Sequence, residues 1–457
     1  MKRILYLTSL VCLCFYSSHS VGQQSGGSEW RDAETANVMS DKYELFWNAE
    51  VQKQIDADID QYRKSDAIIA LESVSVGTEI AIEQVSHDFL FGGNIFLFGH
   101  FDTPQKNQAY ERTFGALFNA ATVPFYWKTL EPKPGELRFE EGSSASYRRP
   151  PTDPVVAFCE ANGININGHA IIYGSRKWGH PDWMPADRKK MEVRFEQHVK
   201  TLAERYTDRI QRWDVVNESI HQAERGLMPD DYTYKTFAWA KQYFPDNVQF
   251  NLNDCDMHWG PTPRYVGIVR DLIDRGAKLD NVGVQMHIFN PEESRKIAAG
   301  ADILTPEKNY LVLKSLDDTE RPIHISEVTV SAPDDTQSGQ LMQAGIARNL
   351  YRLWFSYPST MGITWWNVVD GGAAPGEPSF SGLYDKDLNP KPAYYALDQL
   401  INHEWKTQMS VKAPQDGVVK FRGFKGTYRI TWKDAQGVEQ QATFTLENGG
   451  NVRLKKG

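Results

Sequence analysis

Two glutamates close apolar, strand-forming runs: Trp213-Asp214-Val215-Val216-Asn217-Glu218 and Ile323-His324-Ile325-Ser326-Glu327. Trp, Val and Ile at this density belong in a core, and a carboxylate at the tip of a core strand is costly to bury unpaired. Either Glu alone would pass for a surface or helix-cap carboxylate. Two at matched strand ends, one of them preceded by Asn217, instead suggest a pair of acids facing one cleft. One carboxyl that gives a proton while the other attacks is the chemistry of retaining glycoside cleavage, which needs the two groups about 5–5.5 Å apart. In that scheme Glu218 is the general acid/base, its pKa raised by the charge opposite, and Glu327 is the ionised nucleophile. The Asn217 amide is then available to a sugar 2-hydroxyl.

Two strand tips face each other when the strands close into one sheet. Apolar strand-like runs recur at 89–95, 118–123, 166–173, 213–218, 249–254, 282–287, 323–327 and 363–368. Helical patterns lie between several of them, notably at 188–206, 231–244 and 337–355. Eight such units predict an α/β chain folded as a (β/α)8 TIM barrel, with polar residues gathered at the strand C-termini. An open doubly wound sheet is the alternative, but no Gly-rich phosphate loop follows the first run. Glu218 ends the fourth strand and Glu327 the seventh, on opposite sides of the barrel mouth.

Around a barrel spanning 86–403, the chain carries accessory segments. Residues 41–65 have an amphipathic helical pattern, and 67–83 alternate and break at Gly77-Thr78, which predicts a β hairpin. From 404 to 457, strand-like runs at 418–421, 428–432 and 441–445 form a C-terminal β module. The two terminal β segments can pair into one small sandwich. Without a surface stripe of aromatics, a structural role is preferred to a binding one.

Lys2 and Arg3, an apolar stretch over 4–15 and the small residues Ser18-His19-Ser20 have the layout of an export signal over 1–22, followed by a polar linker over 23–40. The apolar stretch is too short to span a bilayer. A secreted or periplasmic chain is expected; a lipid anchor at Cys12 or Cys14 is the alternative, although neither cysteine follows a small residue. Cys159 and Cys255 remain, two buried thiols rather than a disulfide framework. The net charge of −9 argues against nucleic acid or an anionic membrane as partner. A monomer acting on a poly- or oligosaccharide, with no cofactor and no metal, is the expectation. His169, His258 and His287 supply imidazoles for a metal hydrolase, but no His-x-x-x-His spacing supports one.

The motifs together resemble glycoside hydrolase family 10, the retaining β-1,4-xylanases, from about residue 86 to 400. The resemblance rests on Trp213-Asp214-Val215-Val216-Asn217-Glu218, Gly283-Val284-Gln285-Met286-His287 and Ile325-Ser326-Glu327. Gly168-His169, Pro181-Asp182-Trp183-Met184, Asn253-Asp254 and Asn389-Pro390-Lys391-Pro392-Ala393-Tyr394-Tyr395 add to it. It implies that Glu218 is the acid/base and Glu327 the nucleophile. It also implies that Lys128, His169, Asn217, Gln285, His287 and Trp366 hold the sugar at the cleaved position.

Departures from the family pattern are concentrated outside that position. The usual Glu-Asn-x-x-Lys cluster is Pro124-Phe125-Tyr126-Trp127-Lys128, and the usual Trp-His-Ser-Gln is Tyr173-Gly174-Ser175-Arg176. An acid two residues past the nucleophile is Thr329, and a second tryptophan is replaced by the small loop 371–376. Hydrogen-bonding sites discriminate strongly, so these changes imply a donor-side specificity altered from plain xylan. Phe125 suggests a more apolar pocket, suited to a methylated, deoxy or aryl-linked substrate. Tyr173 and Arg176 join the substrate-binding set, with Arg176 placed to meet an acidic or sulfated sugar. The rival reading is a catalytically retired barrel that only binds carbohydrate.

Overall fold

The computed structural model describes residues 35, 37–71, 74–220, 226–260, 262–448 and 450–454. The export signal, its two cysteines and most of the 23–40 linker lie outside the described residues. Eight parallel strands close a barrel in chain order: β3 (Leu90–Asn94), β4 (Ala120–Pro124), β5 (Asn165–Tyr173), β6 (Arg212–Asn217), β7 (Gln249–Asp256), β8 (Asn281–Ile288), β9 (Ile323–Val330) and β10 (Thr360–Trp365). Residues along β6 and β9 are buried throughout, as expected of strands packed inside by the barrel and outside by helices. The helices Arg188–Tyr206, Tyr232–Tyr243 and Gln337–Ser356 fall where the apolar period places them.

Asp187 and Thr336 start two of these helices by accepting backbone N–H groups, of Lys190 and Gly339. The amphipathic pattern over 41–65 is two helices, Asp41–Phe46 and Ala49–Arg63, rather than one. Asn48 causes the break: its side chain accepts from Glu50 and Val51 N–H, and so caps a new helix instead of continuing the old one.

The terminal segments form two small sheets around one apolar core that includes Ile69, Ile80, Ile82, Tyr428, Ile430 and Trp432. Strand β1 (Lys64–Leu71) lies between β12 (Val418–Phe424) and β15 (Gly450–Leu454). Strand β2 (Glu79–His87) lies between β11 (Gln408–Lys412) and β13 (Gly426–Lys433), with β14 (Glu439–Leu446) at the edge. The hairpin predicted over 67–83 does not form, because β1 and β2 belong to different sheets. Each turns its alternating apolar residues inward and takes its ladder partners from the C-terminal segment. The sheets meet the barrel through Arg63, whose guanidinium donates to the Phe355 and Tyr357 carbonyls and lies over the Phe89 ring. Cys159 is a buried free thiol, while the side chain of Cys255 lies outside the described residues. Among the described residues no helix is long and apolar enough to cross a membrane.

Candidate active site

Strand β6 ends at Asn217, and the chain turns at Glu218 with φ +53°, in the left-handed region. Two backbone bonds hold that turn: Glu218 N–H donates to the Asn253 carbonyl at 2.8 Å, and Gly174 N–H to the Asn217 carbonyl at 2.8 Å. Gly174 is required by contact, since a Cβ there would lie 2.3 Å from the Glu218 carbonyl oxygen. The Glu218 carboxyl thus points into the mouth, where it hydrogen-bonds the Tyr173 hydroxyl and accepts from Gln285 Nε2 at 3.3 Å. Burial first, and the Glu327 charge second, hold its pKa above the ordinary glutamate value.

Glu327 lies within β9, 4 % exposed. Its Oε1 accepts from Asn253 Nδ2 at 2.7 Å and from Gln285 Nε2 at 3.2 Å, and its Oε2 is 3.2 Å from His287 Nε2. Asn253 reaches it because Gly283 has no side chain: a Cβ there would meet Asn253 Oδ1 at 2.2 Å. Thr329 Oγ1 is 2.9 Å from His287 Nδ1. The hydroxyl standing where the family carries an acid therefore still orients the ring, without adding a charge. Contacts at both ring nitrogens fix the plane of the His287 imidazole.

One amide nitrogen thus bridges both carboxylates. Acceptors 3.3 and 3.2 Å from one nitrogen lie no more than about 6.5 Å apart. A retaining pair stands about 5–5.5 Å apart, within that limit.

A second network lies beside the first. His169 Nδ1 is 2.7 Å from Asp214 Oδ2, and Asp214 also accepts from Asn167 Nδ2 at 2.9 Å and Asn251 Nδ2 at 3.1 Å. Burial alone would lower the His169 pKa, but the Asp214 hydrogen bond and charge, with Glu327 and Glu218 beyond, leave it raised. His169 Nε2 is 3.2 Å from the Tyr126 hydroxyl, and Trp366 stands edge-on to the His169 ring at 5.4 Å. Asn217 Oδ1 accepts from Asn253 Nδ2 at 2.8 Å, while its buried Nδ2 has no protein partner.

Tyr126, Tyr173, Glu218, Gln285, His287, Glu327 and Trp366 share a cavity of about 680 Å³, closed on another side by Phe289, Glu293 and Glu377. A larger cleft of about 830 Å³ lies at the opposite end of the barrel, among the starts of the strands. Barrel chemistry occupies the C-terminal face, and the paired acids are there.

Two residues assigned to the site are elsewhere. Lys128 sits on the short helix Trp127–Leu130, which buries Trp127 and Leu130 and turns the lysine sideways to Asp182 at 2.9 Å and the Lys177 carbonyl at 3.2 Å. Arg176 begins the helix Arg176–Gly179 and, among the described residues, its side chain hydrogen-bonds the Met184 carbonyl at 3.5 Å. Neither lines the cavity. Phe125 is wholly buried against Tyr206 and Trp213, so the apolar pocket expected from it is core rather than cleft. The cavity position belongs to Tyr126, two residues past the end of β4. The rule that singled out Glu218, a polar side chain just beyond a strand, would have found it. His258 pairs with Glu293 at 2.6 Å, and among the described residues no group of three or more His, Cys, Asp or Glu is placed to hold a metal ion.

The family model for glycosyl hydrolase family 10 matches residues 86–400. The chain belongs to glycosyl hydrolase family 10. It is 24% identical over 303 residues to endo-1,4-beta-xylanase B of Thermotoga neapolitana, covering 61% of this chain and 79% of that protein. It is also 26% identical over 307 residues to the anti-sigma-I factor RsgI6 of Acetivibrio thermocellus, covering 67% of this chain but only 36% of that protein. Among solved structures, xylanase 10B of Thermotoga maritima aligns over 69% of this chain and 96% of its own, with TM-score 0.56 at 20% identity. Xylanase 10B of Thermotoga petrophila RKU-1, in complex with xylobiose, aligns over 69% of this chain and 95% of its own, with TM-score 0.56 at 20% identity. These likenesses carry the (β/α)8 fold.

Proposed function

We propose that this family 10 chain cleaves β-glycosidic bonds of a xylan-like glycan with retention of configuration. The observation that carries it is the Gln285 amide shared between Glu218 and Glu327. Glu327, fixed by Asn253, Gln285 and His287, attacks the anomeric carbon, while Glu218 protonates the departing oxygen. The glycosyl–Glu327 ester forms as the glycosidic bond breaks. Glu218, now a carboxylate, takes a proton from water, which attacks the anomeric carbon and frees Glu327. The raised pKa of Glu218 keeps it protonated for the first step. The unpartnered Nδ2 of Asn217 is the donor for the sugar 2-hydroxyl. Trp366 and the partly exposed Phe289 offer faces for pyranose rings, Phe289 being stacked on His287 at 4.4 Å.

Specificity outside the cleaved position is altered from plain xylan, because Tyr126 occupies the wall and neither Lys128 nor Arg176 enters it. Secretion through the 1–22 segment is part of the same reading. E218Q and E327Q, assayed on a panel of aryl β-glycosides and plant and algal polysaccharides, test the chemistry. Turnover unchanged in both variants would leave only a carbohydrate-binding barrel. Rapid conversion of unsubstituted xylan to xylobiose and xylotriose would remove the altered specificity.

A further inference from the structure

One side of the barrel mouth is closed by a strap. Phe96 and Leu97, just past the end of β3, are buried. The guanidinium carbons of Arg148 and Arg149 stand 5.4 and 5.0 Å from the Phe96 ring centroid. Leu97 is covered by Gly372, where a Cβ would lie 2.4 Å from Leu97 Cδ1. The two covering loops, one before residue 151 and one over 371–377, are tied to each other across the end of β3. Arg148 donates to Asn367 Oδ1 at 3.1 Å and to the Gly372 carbonyl, and the Tyr147 hydroxyl donates to the Ala373 carbonyl at 3.0 Å. Arg149 carries the cover on toward β4 by stacking on Tyr126 at 3.7 Å, with Glu377 as an opposing charge. A strand tip buried under tied loops offers no groove to a polymer.

The cavity extends the other way. Its lining includes His258, Phe289, Asn290, Glu293, Lys296 and Ile303, all from segments after β7 and β8, and among the described residues none from 95–118 or 138–151. Strand order fixes what each side must hold. In the closed barrel β6 lies four places from β10, directly across the mouth. The acid Glu218, at the tip of β6, must stand beside the leaving oxygen. The departing chain therefore lies on the β6–β8 side, and the sugar under attack lies toward β10, β3 and β4.

On that second side the wall is one side chain from the nucleophile. His287 is 3.2 Å from Glu327, and the Trp366 ring follows at 6.3 Å from the His287 ring. The Tyr126 hydroxyl likewise stands 3.2 Å from His169 Nε2. A chain end differs from an interior sugar by one free hydroxyl, and a buried acceptor can select for it. Glu377 Oε2 accepts from Asn367 Nδ2 at 3.0 Å and Ala374 N–H at 3.2 Å, while among the described residues its Oε1 has no partner. That oxygen, in the cavity wall, is open to a terminal hydroxyl.

We infer that the donor end of the cleft is blind and that the protein is exo-acting, removing one sugar at a time from the non-reducing end of a β-linked chain. This rests on the reading of the cleft as a glycan-cleaving site. In each cycle the terminal C1–O bond breaks and Glu218 gives its proton to the shortened chain. Water then supplies the hydroxyl of the freed monosaccharide and returns a proton to Glu218.

Two xylopentaoses test it, both carrying a fluorescent amine at the reducing end and one also a benzyl ether at O4 of its non-reducing sugar. The uncapped chain should release xylose first, with labelled tetraose, triose and biose following in order. The cap should lower kcat/KM about a hundred-fold or more, because no internal bond can reach the acids. Early unlabelled xylobiose or xylotriose, or equal rates on the two chains, would reveal an open donor end and overturn the inference. Cleavage of neither chain would overturn it as well. R148A cuts the buried tie of the strap and should raise the capped-to-uncapped ratio of kcat/KM about ten-fold. An unchanged ratio in folded R148A would overturn the strap as the cause, and should R148A not fold, the native protein decides alone. E327Q separates the two readings. If turnover survives it, the hydrolase reading fails, and calorimetry still decides the blind end: the cap should weaken binding about ten-fold, and equal affinities would overturn it.

Discussion

The floor and the wall of the barrel mouth are built on opposite principles. On the floor, Glu218, Gln285, Glu327, Asn253, His287 and Thr329 form an unbroken chain of hydrogen bonds on strands β6 to β9 and their tips. On the wall, supplied by the loop before residue 151 and the loop 371–377, Arg148 and Arg149 contact neutral acceptors and aromatic faces. The floor completes its own polar network and leaves Asn217 Nδ2 to the substrate. On the wall, Glu377 supplies an opposing charge to Arg149 while accepting from Asn367 and Ala374. Conserving reactive geometry thus falls to strands, whose register fixes side chains, while specificity is left to loops, which tolerate exchange.

Cutting the floor should have the largest effect. E327Q is expected to lower kcat/KM on the order of 10⁴-fold, read as initial rates on the best substrate of the panel. A loss of less than ten-fold would detach the floor from the chemistry. D214A breaks the second network. It strands a buried imidazole and is expected to cost about 3–5 kcal/mol of stability in denaturant unfolding. A cost below about 1 kcal/mol would mean that the His169–Asp214 pair is not structural. T329V removes the hydroxyl that orients His287 and keeps its shape. About ten-fold in kcat is expected, with KM little changed, corresponding to one lost hydrogen bond at a buried nitrogen. Y147F should have the smallest effect, because the Tyr147 hydroxyl bond to the Ala373 carbonyl is exposed and belongs to the wall. Its kcat/KM should stay within about two-fold, and a drop rivalling that of T329V would erase the distinction between floor and wall.

The pH profile sharpens the same contrast. In the proposed reaction Glu218 is protonated for the first step, and its pKa is raised by burial and by Glu327. Activity should therefore persist above the range of an ordinary glutamate and fall as pH climbs through the raised value. Removing the Glu327 charge should lower the Glu218 pKa, measurable by carbon-detected titration of E327Q. A Glu218 pKa equal in native protein and E327Q would mean that the two carboxylates do not feel each other.

The floor was legible in the sequence because strands carry their function at fixed places. Carboxylates closing Val- and Ile-rich runs, and Gln285 and His287 two residues apart on one strand face, follow from strand period and barrel closure. The wall was not. Lys128 was assigned by its register in the family motif and Arg176 by its charge, but both sit on short helices, and helix-face direction over four residues is not readable from spacing. Arg149 sits in an irregular loop with no period at all. In the terminal sheets the expected pairing of the two chain ends is present, while the hairpin over 67–83 is not. The alternation in β1 and β2 announced two strands, whereas their ladder partners come from more than three hundred residues away in sequence. Pairing at that distance is set by which apolar faces meet in the folded chain.

The most direct test of the account is the anomeric form of the first product, followed by proton NMR during the opening minutes of cleavage of an accepted β-glycoside. Under the double displacement proposed for Glu218 and Glu327, the β-anomer should appear first and mutarotate to the equilibrium mixture. First appearance of the α-anomer would mean direct attack by water and would contradict the assignment of Glu327 as nucleophile.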